Sequence, residues 1–351
     1  MLLYLHIPFC DSKCHYCAFN SYVTGHEKKA AYMDALFTQL EHDLAFYRVS
    51  QGEIETLFVG GGTPSTIPAS LYQKVFDRLK DYLKKNAEIT FEANPNSATK
   101  EWLEGIAALG ANRVSFGVQS FDDAKLKLLG RAHNAADALR AVRDAAEAGF
   151  EHISIDLIYS TPFDDIPFLE KEFAVIKTLP VDHISLYSLT IEEETKFAST
   201  PEMSRERDEV YEYLAAQCEA IGLPQYEVAN FGRYRSRHNT GYWEYKPYLG
   251  IGAGAVGRVG NERTYPHRGI DTYIADPLFK EKEVLSETDI KTEKILLGLR
   301  YKGGVDTSLL TGKEMDKVRE LEAGGKLRIE ESRVINPNLF LADEIALYLD
   351  A

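Results

Sequence analysis

Short apolar runs alternate with longer amphipathic stretches through the first 225 or so residues of this 351-residue chain, and that rhythm constrains the fold more than any other feature. The runs at residues 2–7, 55–59, 88–92, 113–118, 152–158 and 183–189 read as strands. The stretches at about 27–47, 70–84, 100–108, 137–148, 168–178 and 205–221 read as helices. Local punctuation agrees, with Thr99 in an N-cap position, Gly110 and Gly149 where helices end, and Pro180 beyond another end. Strands joined through helices of this length pair in parallel, so the pattern predicts an α/β fold whose parallel sheet is covered by helices. Six such units are too few for the full eight-stranded barrel. Periodicity alone leaves an open doubly wound sheet and an incomplete barrel as alternatives.

The chemically unusual residues collect at one end of these units. Cys10, Cys14 and Cys17 follow the first run, and Gly60-Gly61-Gly62-Thr63-Pro64 follows the second. Glu92 ends the third, Gln119 closely follows the fourth, Asp156 lies late in the fifth and Thr190 follows the sixth. Parallel α/β folds gather ligand chemistry at the carboxyl ends of their strands. The three cysteines fall within eight residues and offer three thiolates with no obvious fourth. Structural zinc takes four closed ligands. A cubane iron–sulfur cluster also prefers four thiolates, and three would leave one iron with an open position for a small molecule. The remaining cysteine, Cys218, sits in a helical pattern and reads as a small buried hydrophobe.

Composition narrows the classes further. A net charge of −14 argues against a nucleic-acid partner, which would need a broad basic surface. No stretch approaches the roughly 20 apolar residues of a membrane span. The first residues, Met-Leu-Leu-Tyr-Leu-His-Ile-Pro, are too short an apolar run for a signal peptide and lack a basic start. Four cysteines, three of them within eight residues, make no disulfide framework and point to a reducing compartment, by default the cytoplasm. Beyond about residue 230 the texture changes to an arginine-rich and then an aromatic, Gly-rich stretch. Residues 287–351 read as helices with a strand pair at 326–330 and 333–336, a small α+β domain of winged-helix type. The expected division is therefore 1–230 and 231–351.

Tyr4-Leu-His-Ile-Pro-Phe-Cys-x3-Cys-x-Tyr-Cys, with Gly-Gly-Gly-Thr-Pro one strand later, resembles the radical S-adenosylmethionine superfamily. More narrowly, the chain resembles the branch containing oxygen-independent coproporphyrinogen III oxidase and the HemW-type heme chaperones. The likeness continues through Arg113-Val-Ser-Phe-Gly-Val-Gln-Ser-Phe, Gly130-Arg-x-His133, Asp156-Leu-Ile-Tyr, His238-Asn-x-x-Tyr-Trp and Tyr248-Leu-Gly-Ile-Gly-Ala. It implies an incomplete (β/α)6 TIM-like barrel, with a [4Fe-4S] cluster on Cys10, Cys14 and Cys17 and S-adenosyl-L-methionine on its open iron. Around that cofactor the resemblance places Tyr4, Gly61, Gly62, Thr63, Glu92, Gln119, Arg131 and Asp156. Gly60–Gly62 would leave room for backbone N–H groups at the ligand. Glu92 would accept from ribose hydroxyls or the ammonium, and Gln119 and Arg131 would supply donors.

Two departures set the chain apart from the oxidase pattern. Cys17-Ala18-Phe19 puts phenylalanine where that pattern carries a further cysteine, and the first strand begins at the chain start, without the oxidase's amino-terminal extension. Both features resemble the heme chaperone, so the expected function is to bind heme and pass it to an apo-hemoprotein, a respiratory-chain protein among the candidates. Oxidative decarboxylation of coproporphyrinogen III to protoporphyrinogen IX is the alternative. Heme needs an axial ligand and partners for its propionates. His238, in the His-Asn-x-x-Tyr-Trp element, is the first candidate ligand, with His133, His183 and His267 as alternatives. Arg233, Arg235 and Arg237 alternate, which in an extended segment puts three guanidinium groups on one face for two carboxylates. Tyr242, Trp243, Tyr245 and Tyr248 could supply flat contacts. His6 and His15 flank the cysteines and are expected to shape their surroundings.

Overall fold

The structure, a computed structural model, describes residues 1–350. Six strand–helix units open the chain. They are β1 (Leu2–Ile7) and α1 (Lys29–Phe46), β2 (Ile54–Gly61) and α2 (Ala69–Leu79), then β3 (Leu83–Ala93) and α3 (Lys100–Ala108). Next come β4 (Arg113–Gln119) with α4 (Asp123–Leu129) and α5 (Ala135–Glu147), β5 (His152–Tyr159) with α6 (Ile166–Ile176), and β6 (His183–Ser188) with α7 (Asp208–Ala220). Strands β1 to β6 pair in parallel in chain order, as helical crossovers require. The expected caps are in place, with the Thr99 side chain accepting from the Trp102 N–H and Gly110 and Gly149 at positive φ just past their helices.

The sheet alternates cleanly between its two faces. Leu3, Leu5 and Ile7 of β1, Leu57 and Val59 of β2, Ile89 and Phe91 of β3, and their counterparts in β4 to β6 join one large core beneath the helices. The intervening residues face the inside of the curved sheet, and many are polar: His6, Thr56, Glu88, Glu92, Arg113, Ser115, Ser154, Asp156, His183 and Ser185. A polar inner face at the carboxyl ends of parallel strands is a place for ligand chemistry.

Past residue 230 the fold departs from expectation. Strand β7 (Asn230–Gly232) pairs antiparallel with β6, and after α8 (Arg237–Trp243) strand β8 (Tyr248–Ile251) pairs in parallel with β1. Strands β9 (Gly257–Val259) and β10 (Glu262–Pro266) follow, then α9 (Ile270–Ala275) and β11 (Lys280–Val284). The result is one eleven-stranded sheet in the order β11-β10-β9-β8-β1-β2-β3-β4-β5-β6-β7, open between its two edges. The sheet therefore does not end at residue 230, where the sequence texture changes. That change marks short, Gly-rich edge strands rather than a new core.

A second core does exist, but it starts later. It is built from Ile295 and Leu299 of α10 (Glu287–Leu299), Val305 of β12 (Val305–Asp306) and Val318 of α11 (Gly312–Ala323). Val334 lies in the hairpin β13 (Arg328–Glu330) and β14 (Arg333–Ile335), and Ile345 and Leu349 in α12 (Ala342–Asp350). The three short strands form their own sheet in the order β12-β14-β13. Among the described residues no helix is long and apolar enough to cross a membrane.

Candidate cofactor site

The carboxyl ends of the strands enclose a cavity of about 350 Å³ whose lining includes Cys10, Cys14 and Cys17, Gly61 to Pro64, Glu92, Gln119, Arg131 and Asp156. All three cysteines are free thiols. Their loop is tied down at many points. The Cys10 N–H donates to Tyr22 O at 2.9 Å and the His15 N–H to Leu129 O at 3.0 Å. His6 Nε2 meets Asn20 O at 2.9 Å, and His15 Nδ1 meets Leu128 O at 2.8 Å. His6 thus holds the loop backbone at Asn20, and His15 ties the loop to the end of α4. Gly130 (φ 72°) has no room for a Cβ, which would lie 2.6 Å from the His15 ring.

The thiols fit a cluster better than a lone ion. A tetrahedral zinc with Zn–S bonds of about 2.3 Å draws its sulfurs to about 3.8 Å of one another. Among the described residues no three His, Cys, Asp or Glu side chains converge to hold one metal ion. Cubane thiolates bind different irons and stand further apart. Arg131 brings positive charge directly to the loop, with one Nη donating to Cys14 Sγ at 3.1 Å.

Glu92 and Asp156 face the same cavity. Burial, reinforced by the charge of Asp156, pushes the Glu92 carboxyl up to about 7, against the Gly61 N–H and Arg113, which lower it. Burial also raises Asp156, while Ser185, Arg113 and Ser115 oppose it. Two carboxylates pushed up in one cavity favour a cationic occupant, because a positive ligand relieves both burial and mutual repulsion. The sulfonium and ammonium of S-adenosylmethionine have that charge. Gln119 adds a second sign of a missing partner. It sits at φ 65° where the β4–β5 register slips, and its Oε1 is buried without a hydrogen bond. A strained residue carrying an orphaned acceptor fits a ligand donor.

The Gly-Gly-Gly-Thr-Pro turn acts differently from expectation. The Gly61 N–H donates to Glu92 Oε2 at 3.0 Å and the Gly62 N–H to Ile7 O at 2.7 Å, so neither is free for a ligand. A Cβ on Gly61 (φ 114°) would lie 2.5 Å from the His6 ring, and one on Gly62 2.9 Å from Phe9 O. The glycines let the end of β2 pass close beneath the cysteine loop. Thr63 likewise serves the loop, its Oγ1 standing 3.3 Å from Cys10 Sγ and accepting from Asn94 Nδ2 at 3.0 Å. Asn94 is the hub that sequence reasoning missed. Its Oδ1 accepts from Arg131 at 2.6 Å, so one amide joins Thr63, and through it Cys10, to Arg131 on the far wall. The only signal was its place two residues past Glu92, where an Asn before Pro reads as a turn.

Tyr4 and the heme candidates lie elsewhere. The Tyr4 hydroxyl meets His6 Nδ1 at 2.9 Å, and its ring lines a separate cavity rather than the cysteine one. His238 is 1% exposed, with Nδ1 2.7 Å from Thr56 Oγ1 and Nε2 2.9 Å from the Tyr242 hydroxyl. Burial, with the charge of Arg113, pushes it down to about 3, so it is neutral and has no free nitrogen in this conformation. The arginine strip sits at the amino-terminal end of the sheet, opposite the cysteines. Arg233 donates to Val181 O and Arg237 to Asn86 O, each ahead of or early in its strand, while Arg235 lies over the Tyr226 ring. Alternation assumed an extended segment, but Arg237 already opens α8, so the three side chains do not share the regular face expected of them. Of the alternative histidines, His133 and His183 are buried and bonded to Val118 O, and to Ser154 and Tyr226, while His267 stacks on Phe279.

An inner-facing polar cavity on a parallel sheet, closed by a three-cysteine loop, is the arrangement that the resemblance to radical S-adenosylmethionine proteins implies. A profile of the Radical SAM superfamily matches residues 4–172. The chain is 35% identical to the heme chaperone HemW of Bacillus subtilis, covering 86% of this chain and 84% of that one. It is 37% identical to the Escherichia coli HemW over 73% and 70%, respectively. The mitochondrial radical S-adenosyl methionine domain-containing protein 1 of Mus musculus is 34% identical over 86% of this chain and 74% of its own. Within the superfamily, then, the chain belongs to the HemW family. The E. coli coproporphyrinogen III oxidase HemN, a radical SAM enzyme, superposes on the whole chain and 90% of its own length with a TM-score of 0.83 at 21% identity, a likeness of fold.

Proposed function

We propose that the chain is a heme chaperone. It carries a [4Fe-4S] cluster on Cys10, Cys14 and Cys17 with S-adenosylmethionine beside it, binds heme, and passes the heme to an apo-hemoprotein in the cytoplasm or at a membrane facing it. The observation that carries this reading is the 33–37% identity to HemW chaperones of several bacteria across most of the chain. When bound together, the cluster and S-adenosylmethionine would supply one-electron radical chemistry, given an external reductant. The chain's own residues do the holding. Arg131 and Thr63 fix two of the thiols, Glu92 and Asp156 receive positive charge, and Gln119 offers its vacant acceptor to a ligand donor. His238 remains a candidate iron ligand only in a state where Tyr242 rotates off Nε2.

Coproporphyrinogen oxidation is the competing reading, supported by the shared fold of HemN. Against it stands Phe19, 71% exposed at the cavity wall where the oxidase pattern carries a further cysteine. The chain reconstituted anaerobically with iron and sulfide decides between them when given S-adenosylmethionine, a reductant and coproporphyrinogen III, with heme binding followed in parallel. The chaperone reading expects a stable heme absorption band and unchanged coproporphyrinogen. Conversion to protoporphyrinogen IX without heme retention would replace it with the oxidase.

A further inference from the structure

Beyond Tyr4, away from the cysteine loop, lies a second cavity of about 480 Å³ that the cluster and S-adenosylmethionine do not use. It lies within the roughly 300–1,000 Å³ range of sites for cofactor-sized ligands. Its walls include Tyr4 of β1, Tyr242 of α8, Tyr248 of β8 and Leu296 and Leu297 of α10. The tyrosine rings are mutually fixed, Tyr242 and Tyr248 meeting edge to face with centroids 4.8 Å apart.

The polar groups at this cavity are mostly cationic. Lys246, Arg258 and Arg263 line it with one carboxylate, Glu293, but Lys246 is also paired with Glu55 and Glu244 and Arg263 with Glu283, so of the three only Arg258 lacks a carboxylate partner. Glu293 is already engaged, accepting from Arg263 and from the Tyr245 hydroxyl. Arg258 is 5% exposed and lies 3.7 Å over the Tyr245 ring. Its hydrogen bonds go only to the carbonyls of Tyr245, Lys246 and Gly260. This buried guanidinium is hydrogen-bonded to carbonyls alone, with Glu293 near it but no carboxylate in contact. Tyr245 holds a left-handed backbone (φ 58°), a conformation that persists for a bulky residue only where its surroundings over-determine it.

We propose that this cavity seats a flat, aromatic, anionic ligand. Its ring packs between the tyrosines and α10, and its carboxylates turn toward Arg258 and Arg263. On the chaperone reading, on which this inference rests, the ligand is heme, held apart from S-adenosylmethionine with Tyr4 between the two. The test is a hemin titration of the cluster-reconstituted full chain, with S-adenosylmethionine affinity measured on the same samples. Leu297→Trp fills the cavity from α10, and Arg263→Glu reverses the charge at its rim. Each variant is checked for native circular dichroism and iron content. Both should bind hemin at least tenfold more weakly, keep wild-type S-adenosylmethionine affinity, and show no displacement of one ligand by the other. If Arg263→Glu or Leu297→Trp folds, retains its iron and binds hemin like wild type, the seat is wrong and the chaperone reading stands. The seat is equally wrong if hemin displaces S-adenosylmethionine. Wild-type protein that binds no hemin overturns the chaperone reading itself.

Discussion

At the scale of single residues, the site depends on charge held in a confined space. Glu92 is the clearest instance, since burial and Asp156 push its carboxyl up to about 7 and a cationic ligand would pull it back down. Binding of S-adenosylmethionine should then strengthen as pH rises through about 7, where Glu92 ionises, and level off above. Glu92→Gln should weaken binding about tenfold at pH 8, equivalent to about 1.4 kcal/mol, and flatten that dependence. Calorimetric titration between pH 6 and 8 reads both, and a variant with the wild-type profile would remove Glu92 from the ligand's surroundings. Much of this was legible in the sequence, because Glu92, Gln119 and Asp156 stand out as polar residues at the ends of apolar runs. The surroundings of the heme candidates were not. Alternation assumes an extended segment although Arg237 opens α8, and His238 in its motif gives no sign that Thr56 and Tyr242 occupy both its nitrogens.

At the scale of elements, one buried carboxylate organises the amino-terminal end of the sheet. Glu88 of β3 accepts from the Arg237 and His238 N–H groups at 2.7 and 3.0 Å and from the Tyr234 hydroxyl at 2.8 Å. It satisfies the otherwise open N–H groups at the start of α8 and so fixes the segment that carries His238 and Tyr242. Hydrogen bonds to a charged acceptor contribute about 1.5–3 kcal/mol each, and only part of that is lost when an amide of the same shape replaces it. Glu88→Gln should therefore lower stability by about 2 kcal/mol, read from the urea midpoint, while cluster incorporation at the opposite end of the strands is unchanged. Loss of the cluster in that variant would mean that the two ends are not independent. The first six strands were readable because each is a run of five or more residues with flanking helices. Strands β7 and β9 have three residues each, too few for any period to register, and α4 has seven. The place of β7 is decided by pairing to β6, distant in sequence, and that of β9 by pairing to β8 and β10, themselves short.

At the scale of the whole molecule, the chain combines two compartments on one sheet. The cysteine cavity lies at the carboxyl ends of the parallel strands, and the tyrosine-lined cavity lies where the sheet meets α10. Tyr4 touches both arrangements, lining the second cavity while its hydroxyl reaches His6, whose other nitrogen holds the loop at Asn20. On the proposed heme-chaperone reading, such separation would let heme enter and leave without disturbing a cluster on the cysteine loop. The central claim is that heme is handed on, and the most direct measurement is the rate at which it reaches an acceptor. Heme-loaded chain is mixed with increasing concentrations of apo-hemoproteins from the same cell, and the acceptor's absorption band is followed in time. For at least one acceptor, the account predicts a rate that rises in proportion to acceptor concentration, as direct transfer within a complex requires. A rate independent of every acceptor, set only by heme dissociation into solvent, would contradict it.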